Sequence, residues 1–302
     1  MTPNRRMPDF VIIGAMKCGT STLHDQLHLQ PGIFMSTPKE PYFFSNDEVW
    51  AKGLDWYSSL FADAAKDDLC GESSTHYTKL PTYPHTIDRM KEHIPDAKLI
   101  YVIRHPIDRL VSHYIHDWSE RKIDCSIDEA IDRHPDLINY SRYAMQLEPF
   151  LETYGTERVM LVFFEHMIAE PQAELERICR FIGYDGRPRW HIEEPANNVS
   201  HQRMRESKWR DAIVWNPVVT WARRTFVPQR LRDRVKTLWQ MRKRPKLSPE
   251  RLAALSEVFD QDLDRLSVWL DIEFTVDGFA AAASSANPDW AGITPSPVRV
   301  TV

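Results

Sequence analysis

The sequence predicts an α/β fold: a central parallel sheet flanked by helices, with a P-loop-like nucleotide-binding loop at its start. Three observations predict it. Residues 10–13 (FVII) form a short apolar run that ends in Gly14 and passes through a loop into a hydroxyl-rich helix start. Two more unbroken apolar runs follow downstream, 98–103 (KLIYVI) and 159–164 (VMLVFF). Continuous hydrophobicity marks strands buried on both faces, and such strands separated by helical stretches belong to parallel sheets.

The elements follow in order. After the first strand, residues 20–29 read as a helix with Leu23, Leu27 and His24 facing inward, stopped by Pro31-Gly32. Residues 33–35 (IFM) make a second short strand before the polar turn 36–40. The strands at 98–103 and 159–164 are each followed by a helix; Pro106 and Asp108 suit the start of one, and 173–181, with Leu175, Ile178 and Phe181, is the other. Residues 249–270 form the clearest amphipathic helix, with Leu252, Leu255, Phe259, Leu266 and Leu270 on one face. Residues 1–278 are therefore expected to form a single domain, with a basic helical or loop region at about 197–246 and a loose tail at 279–302.

Composition narrows the function classes. An apolar share of 42% over 302 residues supports a large folded core. No apolar stretch approaches the roughly 18 residues of a membrane span, and the run before Gly14 is too short for a signal peptide. The four cysteines are scattered without a CxxC pair, which suggests reduced thiols and a cytoplasmic location. Net charge is −5, yet residues 203–246 hold fourteen Lys/Arg against three Asp/Glu. Such asymmetry can focus an anionic partner. Nucleic acid is disfavoured, because no nucleic-acid-binding motif accompanies the charge.

The chemistry concentrates in three clusters. In the first, Lys17 to Thr22 (KCGTST), a glycine turn admits close approach and the helix-start amides point at an anion. Lys17 adds a point charge, and Thr20, Ser21 and Thr22 add hydroxyl donors. Cys18 fits best as a small neutral loop residue. The order differs from the ATPase loop GxxxxGK[ST], since Lys17 precedes Gly19. In the second cluster, RHPIDRLVSHY from Arg104 to Tyr114, Arg104 leaves a strand end, where open α/β sheets bind ligands, and Ser112 follows eight residues on. Together they suit a phosphate monoester. Arg109 reads as a helix-surface residue, and His116 shares the face of Ser112. In the third, TPKEPYFF, Glu40 stands between two prolines among aromatics that could raise its pKa toward the range of a general base.

These motifs resemble those of sulfotransferases that use 3′-phosphoadenosine 5′-phosphosulfate (PAPS). KCGTST is similar to the family's 5′-phosphosulfate loop, and RHPIDRLVSHY to its 3′-phosphate motif. PKEPYFF, GESSTHY and VFFEHM extend the likeness, which is closest to the carbohydrate, heparan-sulfate-type branch and its soluble bacterial relatives. The resemblance implies cofactor contacts from Lys17, Cys18, Gly19, Thr20, Ser21, Thr22, Arg104 and Ser112. It implies Glu40 as general base, with Lys17 and His116 also at the reaction centre. Adenosine 3′,5′-bisphosphate leaves, and no metal is required. Lys39, Phe43, Ser73 and His76 are expected near the acceptor, a carbohydrate, glycolipid or small-molecule alcohol. Two departures stand out. Ser73 occupies a position where that branch usually has lysine, for which Lys39 is a substitute candidate. The family's covering loop over the 3′-phosphate has no clean counterpart, and Arg203, Arg205 and Lys208 are the candidates for its task. A nucleotide-dependent kinase and a non-catalytic anion-binding protein are the competing readings; oligomeric state is not legible.

Overall fold

The structure, a computed structural model, describes residues 5–191, 244–285 and 289–290. Its sheet has five parallel strands: β1 (Phe10–Gly14), β2 (Ile33–Met35), β3 (Leu69–Ser73), β4 (Lys98–Ile103) and β5 (Val159–Phe163). They lie in the order β2-β3-β1-β4-β5, so β1 is central and the chain builds outward on both sides. Every residue of β1 and β5 is buried, as the unbroken apolar runs require. Because all strands run the same way, the loops after β1, β2, β3 and β4 emerge at one end of the sheet, the end at which such sheets bind ligands. The three chemical clusters are therefore brought to one edge by topology, although they are far apart in sequence.

The described helices are α1 (Thr20–His28), α2 (Asp47–Trp50), α3 (Gly53–Ser59), α4 (Thr86–His93), α5 (Pro106–Ser119), α6 (Ile127–Arg133), α7 (Asp136–Asn139), α8 (Tyr143–Tyr154), α9 (Phe164–Ala169), α10 (Pro171–Ile182), α11 (Pro249–Leu270) and α12 (Phe279–Ser285). None is long and apolar enough to cross a membrane. Pro106 opens α5, where its missing amide costs nothing, and the His105 side chain accepts from the Asp108 amide. α11 packs against α8 through Asp262, whose carboxylate receives the amides of Ala144 and Met145 at the α8 start.

The structure corrects four expectations. Residues 279–285 are not a loose tail but helix α12, because Phe279 is fully buried against Phe163 and Phe274. Leu252 is 43% exposed, and the inward face of α11 carries Leu255, Phe259, Leu263, Leu266 and Leu270 instead. β3 goes unread in the sequence because LCGES lacks an apolar run; Gly71 is needed where a Cβ would lie 2.2 Å from the Phe10 ring. Arg109, expected at the surface, is 0% exposed. Its Nε donates to Ser141 Oγ at 2.6 Å and an Nη to the Leu137 carbonyl at 2.7 Å, so burial is offset by hydrogen bonds. Arg109→Ala leaves a large cavity and an unpaired carbonyl. It is expected to destabilise the fold by roughly 3–5 kcal/mol in urea denaturation.

Candidate active site

The loop after β1 is built around two glycines. Gly14 has φ 156°, and a Cβ there would lie 1.9 Å from Thr78 Oγ1, which itself donates to the Ile13 carbonyl at 2.9 Å. Gly19 has φ 86° and sits so close to Phe164 that a Cβ would fall 2.7 Å from its ring. Between them Lys17 takes φ 74°, a conformation that costs a side-chain-bearing residue about 1 kcal/mol or more. The amides of Thr20, Ser21 and Thr22 then open α1, where the first turn has no intrahelical acceptors. Cys18 differs from its expected place among the anion donors. Its amide is taken by the Ala15 carbonyl at 3.2 Å, and its thiol is buried near Tyr143. Burial pushes that thiol up to about 11, in keeping with a neutral loop residue.

Arg104 leaves the end of β4 beside this loop. An Nη reaches the Lys17 carbonyl at 3.4 Å, the guanidinium lies 5.0 Å from the Phe164 ring centroid, and Asp108 is 3.6 Å away. Its Nε is buried with no hydrogen-bond partner among the described residues. An anion with several oxygens at this point would satisfy it. Asp108 also pairs with Arg244, so the basic stretch ends next to Arg104. Ser112 is buried two turns further along α5. Arg203, Arg205 and Lys208 lie outside the described residues.

Glu40 and Tyr42 also take positive φ, 59° and 57°. Lys39 Nζ donates to Glu40 Oε1 at 3.1 Å and to Ser21 Oγ at 2.9 Å. One ammonium therefore joins the carboxylate to the first turn of α1. Glu40 Oε2 accepts from the Tyr42 hydroxyl and from Thr75 Oγ1, the latter at 3.3 Å. The expected rise in its pKa is overturned. Burial alone would raise it, but the Lys39 charge and the Tyr42 hydroxyl outweigh burial and leave the net shift downward. Glu40 is thus a carboxylate at neutral pH, ready to accept a proton.

The four expected acceptor-side residues divide. Lys39 reaches the centre of the site. Phe43 does not: it is 0% exposed, stacked on Tyr57 with centroids 4.4 Å apart, and belongs to the core. Ser73 is also fully buried, and its hydroxyl is taken by His24 Nδ1 at 2.8 Å. His76 is sandwiched between Tyr42 at 3.8 Å and Tyr83 at 4.8 Å, so both ring faces are covered. His116 lies on α5 with Nε2 3.1 Å from Glu120. With Asp117 and Glu120 it presents donor atoms all within 4.8 Å of one another.

Residues that the sequence did not assign to the site lie around it: Tyr42, Thr75, His24, Lys79 and Glu165, whose carboxylate accepts the His105 amide at 2.9 Å. Tyr42, Thr75 and Glu165 fall within the quoted motifs, His24 reads only as an inward helix residue, and Lys79 carries no signal. His24 and His76 are held neutral, His24 lowered to about 4 by burial and then Lys39, His76 to about 3 by burial and then Lys79. The unfolded chain therefore binds more protons than the folded one below about pH 6.5. Stability is expected to fall as pH drops from 6.5 through 4 toward 3. In thermal melts across that range, His24→Gln is expected to flatten the dependence, and an equally steep profile would remove His24 as a source.

Comparison with known proteins places the sequence in a family. A model of the sulfotransferase domain matches residues 7–267. The chain belongs to the sulfotransferase family. Within it, mouse heparan sulfate glucosamine 3-O-sulfotransferase 3B1 is 30% identical over 189 residues, 60% of this chain and 47% of that protein. Human heparan sulfate glucosamine 3-O-sulfotransferase 6 is 29% identical over 187 residues, 59% of this chain and 53% of that protein. The chain thus spans about half the length of these curated relatives. A sulfotransferase from Alicyclobacillus acidocaldarius has the same fold, with a TM-score of 0.63 at 22% identity, covering 89% of this chain and 98% of that one. The α/β sulfotransferase fold expected from the sequence is therefore the fold found.

Proposed function

We propose that this sulfotransferase moves the sulfuryl group of PAPS to a hydroxyl or amine of a carbohydrate or glycolipid acceptor, with Glu40 as general base. The observation that carries this reading is the Lys39 bridge. Its ammonium touches both Ser21 at the donor-side helix start and Glu40. A base held by the same cation that faces the donor loop is set for in-line attack.

The donor loop fits a phosphosulfate because the glycine turns leave no room for a Cβ and the amides of Thr20 to Thr22 open toward it. Arg104, with its orphaned Nε and Arg244 close by, fits a second phosphate at the 3′ position. PAPS supplies the sulfuryl group, and adenosine 3′,5′-bisphosphate departs with the electrons of the broken S–O bond. Glu40 takes the proton from the attacking acceptor atom. Lys17 and the helix-start amides face the negative charge that builds on the leaving oxygen, and a single such donor is worth about 3 kcal/mol or more. Lys39 stands in for the lysine absent at Ser73. The carbohydrate acceptor is favoured by the Glu40 context and by the glycan acceptors that the curated relatives' names state.

The test has two arms. Calorimetry is expected to give magnesium-independent binding of adenosine 3′,5′-bisphosphate and weak binding of ATP. Labelled PAPS, offered with glycan, glycolipid, lipid-alcohol and amine acceptors with and without EDTA, is expected to yield a sulfated glycan or glycolipid in both conditions. Tight magnesium-ATP binding, or bisphosphate binding without transfer to any acceptor, would overturn the reading.

A further inference from the structure

The two carboxylate oxygens of Glu40 are engaged unequally. Oε2 accepts from the Tyr42 hydroxyl and, at 3.3 Å, from Thr75 Oγ1. Oε1 accepts one bond among the described residues, from Lys39 Nζ at 3.1 Å. A carboxylate oxygen has two lone pairs, so Oε2 is filled and Oε1 keeps one free. The Glu40 side chain stays 21% exposed, which leaves room for a partner from solution. The Tyr42 phenol is held on several sides. Its ring stacks on His76, 3.8 Å between centroids and inclined by 20°, and His76 stacks in turn on Tyr83 at 4.8 Å and 14°. Its amide donates to Ser74 Oγ at 3.1 Å, and its carbonyl accepts from the amides of Ser45 at 3.2 Å and Asn46 at 2.9 Å. A stacked phenol has two side-chain torsions to fix, so its hydroxyl is placed at small entropic cost. Lys39, by contrast, reaches Glu40 on a flexible stem and divides its ammonium with Ser21.

We propose that Tyr42 is a positioning residue for the general base: its hydroxyl, with Thr75, anchors Oε2 of Glu40 and leaves Oε1, the oxygen on the Lys39 side, to take the acceptor's proton. This inference rests on the reading of Glu40 as base. In that step the acceptor's O–H or N–H bond breaks and its electron pair stays on the acceptor atom as that atom bonds sulfur. The proton ends on Oε1. Burial and then the Glu40 charge push the Tyr42 hydroxyl well above the ordinary tyrosine range, so it stays a donor at neutral pH. Burial raises the Glu40 carboxyl, while the Lys39 charge and then the Tyr42 and Lys39 hydrogen bonds lower it. The other titratable groups facing Glu40 are Lys79, the buried Glu72, and His24 and His76, both held neutral. Tyr83 and Glu120 face Tyr42.

Tyr42→Phe keeps the stacked ring and removes the donor, and two effects then oppose each other. A carboxylate that loses a donor becomes more basic by about one pKa unit, which favours proton transfer by less than about tenfold. A carboxylate free to rotate loses its alignment, an effect of up to about a hundredfold. The expected net result is a kcat about tenfold lower at pH 7, with the acid limb moved upward by about one unit. Bisphosphate affinity is expected to stay within about twofold of wild type. If Oε2 were the receiving oxygen, loss of the hydroxyl would free it and kcat would rise. An unchanged or higher kcat, or an unmoved acid limb, therefore overturns the Tyr42 assignment alone. Wild type that binds bisphosphate but transfers to no acceptor overturns the reading of the reaction instead. In that case the ¹³C shift of the Glu40 carboxyl decides on Tyr42: a titration midpoint higher in Tyr42→Phe than in wild type supports the anchor, and equal midpoints overturn it. If Tyr42→Phe does not fold, the readout is the ¹³C shift of Tyr42 Cζ in wild type. An inflection at the Glu40 midpoint supports the assignment, and a flat profile overturns it.

Discussion

Glu40→Gln is expected to cut sulfuryl transfer by about 10²- to 10⁴-fold at neutral pH. The change keeps the size of the side chain and leaves an oxygen to accept from Tyr42 and Thr75, so packing is preserved. What disappears is the carboxylate proposed to receive the acceptor's proton. Lys39 also loses its anionic partner, but keeps Ser21. Binding of adenosine 3′,5′-bisphosphate, measured by calorimetry, is expected to change by less than about threefold, with the loss confined to kcat. A variant that retains wild-type kcat on the best acceptor removes Glu40 from the base role. Because the Lys39 charge and the Tyr42 hydroxyl outweigh burial and lower the Glu40 pKa, the acid limb of wild-type activity is expected below the ordinary glutamate value of 4.5.

The second large effect is expected at Arg104. Its guanidinium makes one long bond to the Lys17 carbonyl and a loose pair with Asp108, and its Nε has no partner among the described residues. Little of the fold rests on it, so Arg104→Ala is expected to leave the melting temperature nearly unchanged. A charge-assisted hydrogen bond contributes about 1.5–3 kcal/mol, which places the loss of bisphosphate affinity at about 10- to 150-fold. Adenosine 5′-phosphosulfate provides the control, since it lacks the 3′-phosphate. If Arg104 serves that group, the penalty disappears with this ligand; an equal penalty for both ligands moves Arg104 to the phosphosulfate side.

Much of this architecture was legible in sequence because it depends on local rules. An apolar run ending at Gly14, a lysine in the loop and a hydroxyl cluster at the helix start are near neighbours, and their spacing marks a strand-loop-helix turn. The same holds for Arg104 at the end of KLIYVI, since the residue after a buried parallel strand emerges at the binding edge. Side-chain direction was not legible. Arg109 lies in a motif with charged and polar neighbours and reads as exposed, yet α5 turns it into the interior, where Ser141 and Leu137 meet it. Phe43 near Glu40 suggests an acceptor-side residue, but it is spent in the core with Tyr57 and Trp50. The pKa of Glu40 was misjudged for a related reason. Aromatic neighbours in sequence suggested a dry site, whereas the sign depends on where the Lys39 ammonium points.

The sequence by itself determined the fold class and the glycine loop that opens α1, because strand periodicity, glycine turns and helix starts are set within a few residues. Only the tertiary structure decided which of these groups meet. The parallel sheet brings the ends of β1, β2, β3 and β4 to one edge, and there Lys39 spans from Ser21 to Glu40 while Ser73 is consumed by His24. Electrostatic coupling falls off with distance through a low-dielectric interior, so the state of Glu40 is fixed by neighbours in space. Lys79, thirty-nine positions away in the chain, is one of them.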